Sequence, residues 1–257
     1  MLATERQERI RKLLDKNGAV TTGELTECFG VSIETVRRDL LAMERGGILR
    51  RVHGGAVPAG GVVPFRELSS RMQDNVPQKQ QLCRMAAAFV EDGDTIAVDA
   101  GSTAVVFAQT LKECKSRLTV VTHSLDVFEL LRGYEAFQVI LCGGTYWPRE
   151  NMLSGPLTVN MLEALHVSKA FLFPTAVSLR QGICNHMPEC YSVFRAMKQA
   201  ADQCFILADS SKFERSDLLK QDDMLPDYIY VTDSGLPERM KKLYEENNLT
   251  IITEEKT

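Results

Sequence analysis

One stretch constrains this chain more than any other: Val31-Ser-Ile-Glu-Thr-Val-Arg-Arg-Asp-Leu-Leu-Ala-Met-Glu-Arg-Gly-Gly-Ile-Leu-Arg-Arg-Val-His-Gly-Gly-Ala56. Ile33, Val36, Leu40 and Met43 recur at helical spacing and predict one buried face. On a helical wheel Arg38 points away from that face. Glu34, Thr35 and Ala42 flank it, and Arg37 sits at the edge. Gly46-Gly47 stops the helix, Ile48–Val52 reads as a short strand, and His53-Gly54-Gly55 as a turn. A helix with a basic outer face, followed by a Gly-flanked basic hairpin, suits an element in the DNA major groove with a wing beside it.

Two shorter helices precede it. Residues 5–16 place Ile10, Leu13 and Leu14 on one side, and Asn17-Gly18 ends the run. Thr21-Thr-Gly-Glu24 has the pattern of a capping box, opening a helix that buries Leu25 and Phe29. Gly30 turns the chain and Ser32 caps the third helix. Arginine can take guanine O6 and N7 together, and threonine can meet a thymine methyl or a phosphate. Arg38 and Thr35 are therefore the candidates for reading bases. Arg37, Arg50, Arg51 and His53 are placed for phosphates, with Ser32 at the helix start completing the surface.

Charge agrees with this division. The chain carries a net −4, which alone argues against nucleic acid. Residues 1–57 nevertheless hold ten Lys/Arg against eight Asp/Glu, and the remainder twenty against twenty-six. No apolar run is long enough to span a bilayer, and Met1-Leu-Ala-Thr-Glu-Arg6 has no signal-peptide pattern, so a cytoplasmic protein is expected. Seven cysteines at irregular spacing, none in a Cys-x-x-Cys pair, suggest buried free thiols rather than a disulfide framework or a metal site. Neither a metal nor a cofactor is expected.

The domain boundaries follow. Residues 1–57 form the DNA-binding unit. Residues 58–75, with a Pro- and Gly-rich start, form a linker. Residues 76–257 read as a larger second domain, expected to sense an effector and to oligomerise. Beyond the linker, helical patterns over 78–90, 103–113, 124–131, 157–165, 189–201 and 237–246 alternate with strands over 95–99, 118–122, 137–141, 170–173, 204–208, 228–232 and 250–252. Such alternation predicts a mostly parallel sheet covered by helices. The fold class is thus α/β, a mostly helical N-terminal module joined to a larger α/β domain.

In that domain Asp99-Ala-Gly-Ser-Thr103 reads as a strand end, a tight turn and a helix start. Gly101 lets the backbone approach an anion, Ser102 and Thr103 offer hydroxyls, and Asp99 can orient a sugar hydroxyl or cap the loop. Thr122-His123-Ser124 and Gly143-Gly144 end two further strands, and ligands of open parallel sheets sit outside strand carboxyl ends. Lys212 could pair with a phosphate. Trp147, Arg149 and Glu150 follow the Gly-Gly turn and read as a rim or an oligomer contact.

Val31–Leu40 together with Gly47–Ala56 resembles the N-terminal signature of the DeoR family of bacterial transcriptional regulators. The resemblance extends over nearly the whole chain through Asp99–Thr103, Leu118–Leu125, Val139–Gly144, Lys169–Phe171 and Leu207–Phe213. It implies a winged helix-turn-helix on a sugar-phosphate sensor related to ribose-phosphate isomerases and CoA transferases. It further implies a repressor of sugar-catabolism operons that binds double-stranded operator DNA as a homo-oligomer, a dimer or tetramer, and is not an enzyme.

The chain departs from the family pattern in places. His123 stands where the family more often has Asn, and Glu214 where it usually has Gly. Phe173-Pro174 replaces a Gly-rich acidic turn, and Phe194 a usual Lys. Phe173, Pro174 and Phe194 are expected to make the crevice more apolar, which favours a phosphorylated ligand other than a standard small sugar phosphate. The rival is an isomerase-like enzyme with a DNA-binding appendage, for which Asp99 is the strongest base candidate. A second rival is a regulator whose large domain serves assembly alone.

Overall fold

The computed structural model describes residues 2–17, 19–46, 48–52, 54–58 and 66–254. His53 and residues 59–65 of the expected linker lie outside the described residues. The N-terminal module comprises α1 (Ala3–Asn17), β1 (Val20–Thr21), α2 (Thr22–Phe29), α3 (Ile33–Arg45), β2 (Leu49–Val52) and β3 (Gly55–Pro58). Thr21 accepts from the Glu24 amide while Glu24 reaches back to the Thr21 amide, so the capping box forms as the sequence predicts. Ser32 accepts from the Thr35 amide and starts α3.

Ile10, Leu14, Leu25, Val36, Leu40, Met43 and Leu49 form the small core. The inner face of α3 is not wholly apolar. Asp39 is buried on it and takes two hydrogen bonds from Arg6 of α1, at 2.7 and 3.2 Å. Ile33, expected on that face, is 46% exposed, because its place in the first turn leaves it outside the cluster. The wing is a three-stranded sheet in which β3 pairs with both β2 and β1.

The larger domain opens with α4 (Leu68–Arg71), α5 (Val76–Ala87), β4 (Thr95–Val98), α6 (Ser102–Cys114), β5 (Leu118–Thr122), α7 (Leu125–Leu131) and β6 (Phe137–Leu141). It continues with β7 (Thr145–Trp147), β8 (Met152–Ser154), α8 (Pro156–Glu163), β9 (Val167–Leu172), β10 (Ala176–Ser178) and β11 (Gly182–Asn185). It ends with α9 (Glu189–Ala200), β12 (Ala201–Leu207), β13 (Leu219–Asp222), β14 (Tyr228–Val231), α10 (Glu238–Glu245) and β15 (Thr250–Ile252). The helix α4 falls inside the stretch expected as linker, and its Leu68 is buried. The hairpin β7–β8 and the small sheet β10–β11–β13 were not expected from the sequence, because strands of three or four residues carry too little alternation to read.

Seven parallel strands in the order β15-β14-β12-β9-β4-β5-β6 form the central sheet. Alternate residues of each strand serve opposite faces. Ile96, Val98, Val120, Phe171, Phe205 and Leu207 pack with Leu82, Phe107, Leu111 and Val127 of α5, α6 and α7. Ala97, Val121, Ala170, Leu172, Ile206 and Tyr230 pack with Leu162, Val193, Met197 and Tyr244 of α8, α9 and α10. Burial on both faces explains why these strands read as continuous apolar runs. Phe194 belongs to the second cluster at 2% exposed and does not reach a crevice. The cysteines are free, but only Cys83, Cys142, Cys184 and Cys204 are buried; Cys28 and Cys114 are exposed.

The strand order sets where a ligand can enter. From β4 the chain steps outward through β5 to β6, then returns to lay β9 on the other side of β4 and continues through β12 to β14 and β15. Connections leaving β4 and β9 thus diverge, and a crevice opens at their carboxyl ends.

Candidate DNA-binding and effector sites

On α3, Arg37 and Arg38 are exposed. Arg37 lies 3.8 Å from Glu34, whereas Arg38 has no ion pair among the described residues. Thr35 is half-buried, its hydroxyl 3.0 Å from that of Ser32. The two wing arginines differ. Arg51 is exposed and lies 3.6 Å from Glu44. Arg50 is turned inward to Glu214 of the larger domain, and burial lowers it from the ordinary arginine value.

At the switch point between β4 and β9 lies a cavity of about 470 Å³. Of the residues expected to hold an effector, Asp99, Ser102 and Lys212 line it, as does Phe173. Gly101 lies between two lining residues with φ 124°, a conformation that favours glycine. Lys212 follows β12 in a 3₁₀ turn, Ser210–Lys212, and donates to the Pro174 carbonyl at 2.9 Å. Asp99 accepts from the Ala100 amide and is hydrogen-bonded at 2.8 Å to His123, whose other ring nitrogen meets the Leu153 carbonyl at 2.7 Å.

The other expected residues stand behind the wall rather than in it. Thr122 is fully buried, donates to the Val98 carbonyl and accepts from the Ser124 amide. Ser124 caps α7. Thr103 is 1% exposed, with a hydroxyl that finds no partner among the described residues. Gly143 gives its carbonyl to Thr158, and a Cβ on Gly144 would lie 2.1 Å from the Thr158 hydroxyl. The turns after β5 and β6 sit away from the strand-order reversal, which is why they serve packing in this structure.

Several wall residues carried no readable signal. Lys79, on α5, is 2% exposed and donates to the Arg71 carbonyl at 2.5 Å. Burial, and then the neighbouring Lys212, lowers its pKa to about 8. Lys212 is itself lowered by burial. Neither lysine is in an ion pair among the described residues. Arg71 is paired with Glu150, which burial raises despite that partner. Asn75 donates to Asp209 and Ser211. On the far side His186 lies 3.1 Å from Asp217, which also accepts from Thr175 at 2.5 Å. Trp147 and Arg149 line a separate groove.

Residues 6–59 match the DeoR-like helix-turn-helix domain, and residues 74–234 match the DeoR C terminal sensor domain. The chain belongs to the DeoR family. Among its relatives is the transcriptional repressor AccR of Agrobacterium fabrum, 32% identical over 93% of this chain and 96% of that protein. The regulator GolR of Listeria innocua is 32% identical over 92% and 98%. The lactose phosphotransferase system repressor of Streptococcus mutans is 32% identical over 95% and 97%. A ribose 5-phosphate isomerase A from Methanocaldococcus jannaschii aligns with TM-score 0.41 and 20% identity over 55% of each chain, a likeness too slight to bear on function.

This DeoR-family chain is therefore a DNA-binding transcriptional regulator with a sensor domain, not an enzyme. No described helix is long and apolar enough to cross a membrane. Sequence could have pointed to Lys79 and Arg71 only as charges on short amphipathic segments. Nothing local to them marks a cavity that strands β4, β9 and β12 create.

Proposed function

We propose that this regulator represses a carbohydrate-catabolism operon and that a sugar phosphate, or a related phosphorylated metabolite, sets its operator affinity from the switch-point cavity. One observation carries this: Lys79, 2% exposed, and the half-buried Lys212 line the same cavity, each ammonium donating to a backbone carbonyl and neither in an ion pair among the described residues. A buried charge is costly unless paired, and a phosphate supplies the missing partner. Ser102 adds a hydroxyl to the wall, with the turn at Gly101 beside it. Asp99, Glu150, Asp217 and His186 present a polar wall for hydroxyls. Thr103, Thr122, His123, Ser124, Gly143 and Gly144 shape this wall from behind.

On the DNA side, Ser32, Thr35, Arg37 and Arg38 form the reading face, with Arg50 and Arg51 for phosphates; His53 belongs to the same wing in sequence. The protein acts as a cytoplasmic homo-oligomer, since paired half-sites need paired recognition helices. Isomerase-like chemistry is not favoured, because the relatives aligned over nearly the whole chain are transcriptional regulators.

Calorimetry on the full chain with phosphorylated sugars and their unphosphorylated counterparts tests the sensor assignment. Binding confined to the phosphorylated set, and lost in Lys212→Ala, is the expected result. Equal binding of both sets would remove the phosphate from the site.

A further inference from the structure

The wing arginine Arg50 is held by the sensor domain in a built site. Glu214 is 5% exposed. One of its oxygens accepts from the Tyr244 hydroxyl at 2.6 Å and from the Leu179 amide at 3.3 Å, and the other is paired with Arg50. Glu214 has φ 52°, in the left-handed region that side chains other than glycine seldom occupy. Such strain persists where surrounding bonds over-determine it, and three converging donors do so here.

The placement links two sites. Glu214 lies two residues beyond Lys212, which lines the cavity. Between them Phe213 is buried edge-on against Tyr244, with ring centroids 5.4 Å apart. Tyr244 belongs to α10, whose Arg239 is paired with Glu24 of α2. Val57 of β3 packs in the same cluster as Leu236, Met240 and Tyr244. The wing, α10 and the turn after β12 therefore meet at one carboxylate.

We propose that Glu214 is an internal competitor for Arg50, occupying with its carboxylate the place a DNA phosphate would take. Arginine donors suit a carboxylate and a phosphate alike, and Arg50 cannot satisfy both while buried against the sensor domain. Glu214 thus restrains the wing in the form seen here. Its position two residues from Lys212 offers a direct route by which cavity occupancy reaches the wing. This rests on the assignment of Arg50 to phosphate contact, so the experiment separates the two.

Binding of the full-length protein to a duplex of arbitrary sequence is measured across salt for wild type, Glu214→Gly, Glu214→Gln, Arg50→Ala and Arg50→Ala/Glu214→Gly. Glycine is at ease at φ 52°, so the turn survives in Glu214→Gly, and Glu214→Gln retains a side chain of the same size. The expected result is binding roughly three- to tenfold tighter in both single Glu214 variants, with a salt slope steeper by about one phosphate contact. In the Arg50→Ala background, Glu214→Gly should change nothing, which excludes a simple effect of removing negative charge. If Arg50→Ala weakens binding while both Glu214 variants match wild type, the competition is overturned and the wing contact stands. If Arg50→Ala itself binds as wild type does, the wing contact falls and the competition with it.

Discussion

Lys79 and Lys212 line one cavity from different elements, and each ammonium donates to a backbone carbonyl, Arg71 and Pro174 respectively, rather than to a carboxylate. They come from α5 and from the turn after β12, and Asp209 acts on both without an ion pair to either among the described residues. Each lowers the cost of an incoming anion and raises the cost of leaving the cavity empty.

Effector affinity should consequently depend on pH in a defined sense. Lys79 sits at about 8, lowered by burial first and by Lys212 second. Below that value it is charged and able to pair with a phosphate. Above it, binding must first recover a proton. Affinity should be flat near pH 7 and fall by up to about tenfold per unit above about pH 8, with net proton uptake on binding in that range. Calorimetry in two buffers of different ionisation enthalpy reads the uptake. An affinity unchanged up to about pH 9.5 would mean that Lys79 does not face the ligand's charge.

The recognition helix separates reading from positioning. Arg38→Ala should cost roughly 1–3 kcal/mol of discrimination at one base position, because Arg38 is exposed and unpaired among the described residues. Arg51→Ala should weaken all sequences evenly and lower the salt slope. Selection of bound sequences from a random pool, followed by titration across salt, distinguishes them. An unaltered sequence preference in Arg38→Ala would count against the assignment of this helix face.

Two glycines that look alike in sequence should behave differently. Gly101 has φ 124° with open space where a Cβ would go, so Gly101→Val strains the turn and should abolish effector binding at a stability cost of roughly 1–3 kcal/mol. At Gly144 a Cβ would strike the Thr158 hydroxyl at 2.1 Å and the Ser154 carbonyl at 2.7 Å. Gly144→Ala should destabilise by roughly 1–3 kcal/mol or more through overpacking, added to a backbone φ of 158° that side chains rarely adopt. Thermal melting with and without ligand checks both. Retained ligand binding in Gly101→Val would detach that turn from the effector.

Assembly should reside in the larger domain. Its exposed apolar side chains include Leu157, Leu218, Tyr146 and Tyr191, at 71%, 63%, 51% and 40%. Light scattering of the full chain at tens of micromolar should report a dimer or tetramer. A monomer at that concentration would exclude symmetric pairing of recognition helices before DNA is met.

Local periodicity and end signals carried much of this protein. The capping box at Thr21 and Glu24, the Ser32 cap, the buried Val36, Leu40 and Met43, and the alternation of apolar strands with helices were all legible in the sequence. Each depends on residues within a few positions of one another, where spacing translates directly into a shared face. The same logic missed at Ile33 and Asp39, since Ile33 stands in the first turn outside the cluster and Asp39 is buried by Arg6 reaching across.

What only the tertiary structure decided is which strand ends meet and which charges pair. The sequence marked the turns after β4, β5 and β6 as equivalent, but the order of strands puts the reversal between β4 and β9, so Asp99 and Ser102 reach the cavity and Gly143 and Gly144 do not. Arg6 with Asp39, Arg71 with Glu150 and Arg50 with Glu214 are 33, 79 and 164 residues apart. No periodicity spans such distances. A buried charge takes whichever opposite charge the packed fold brings near it, and that choice is made only once the sheet has formed.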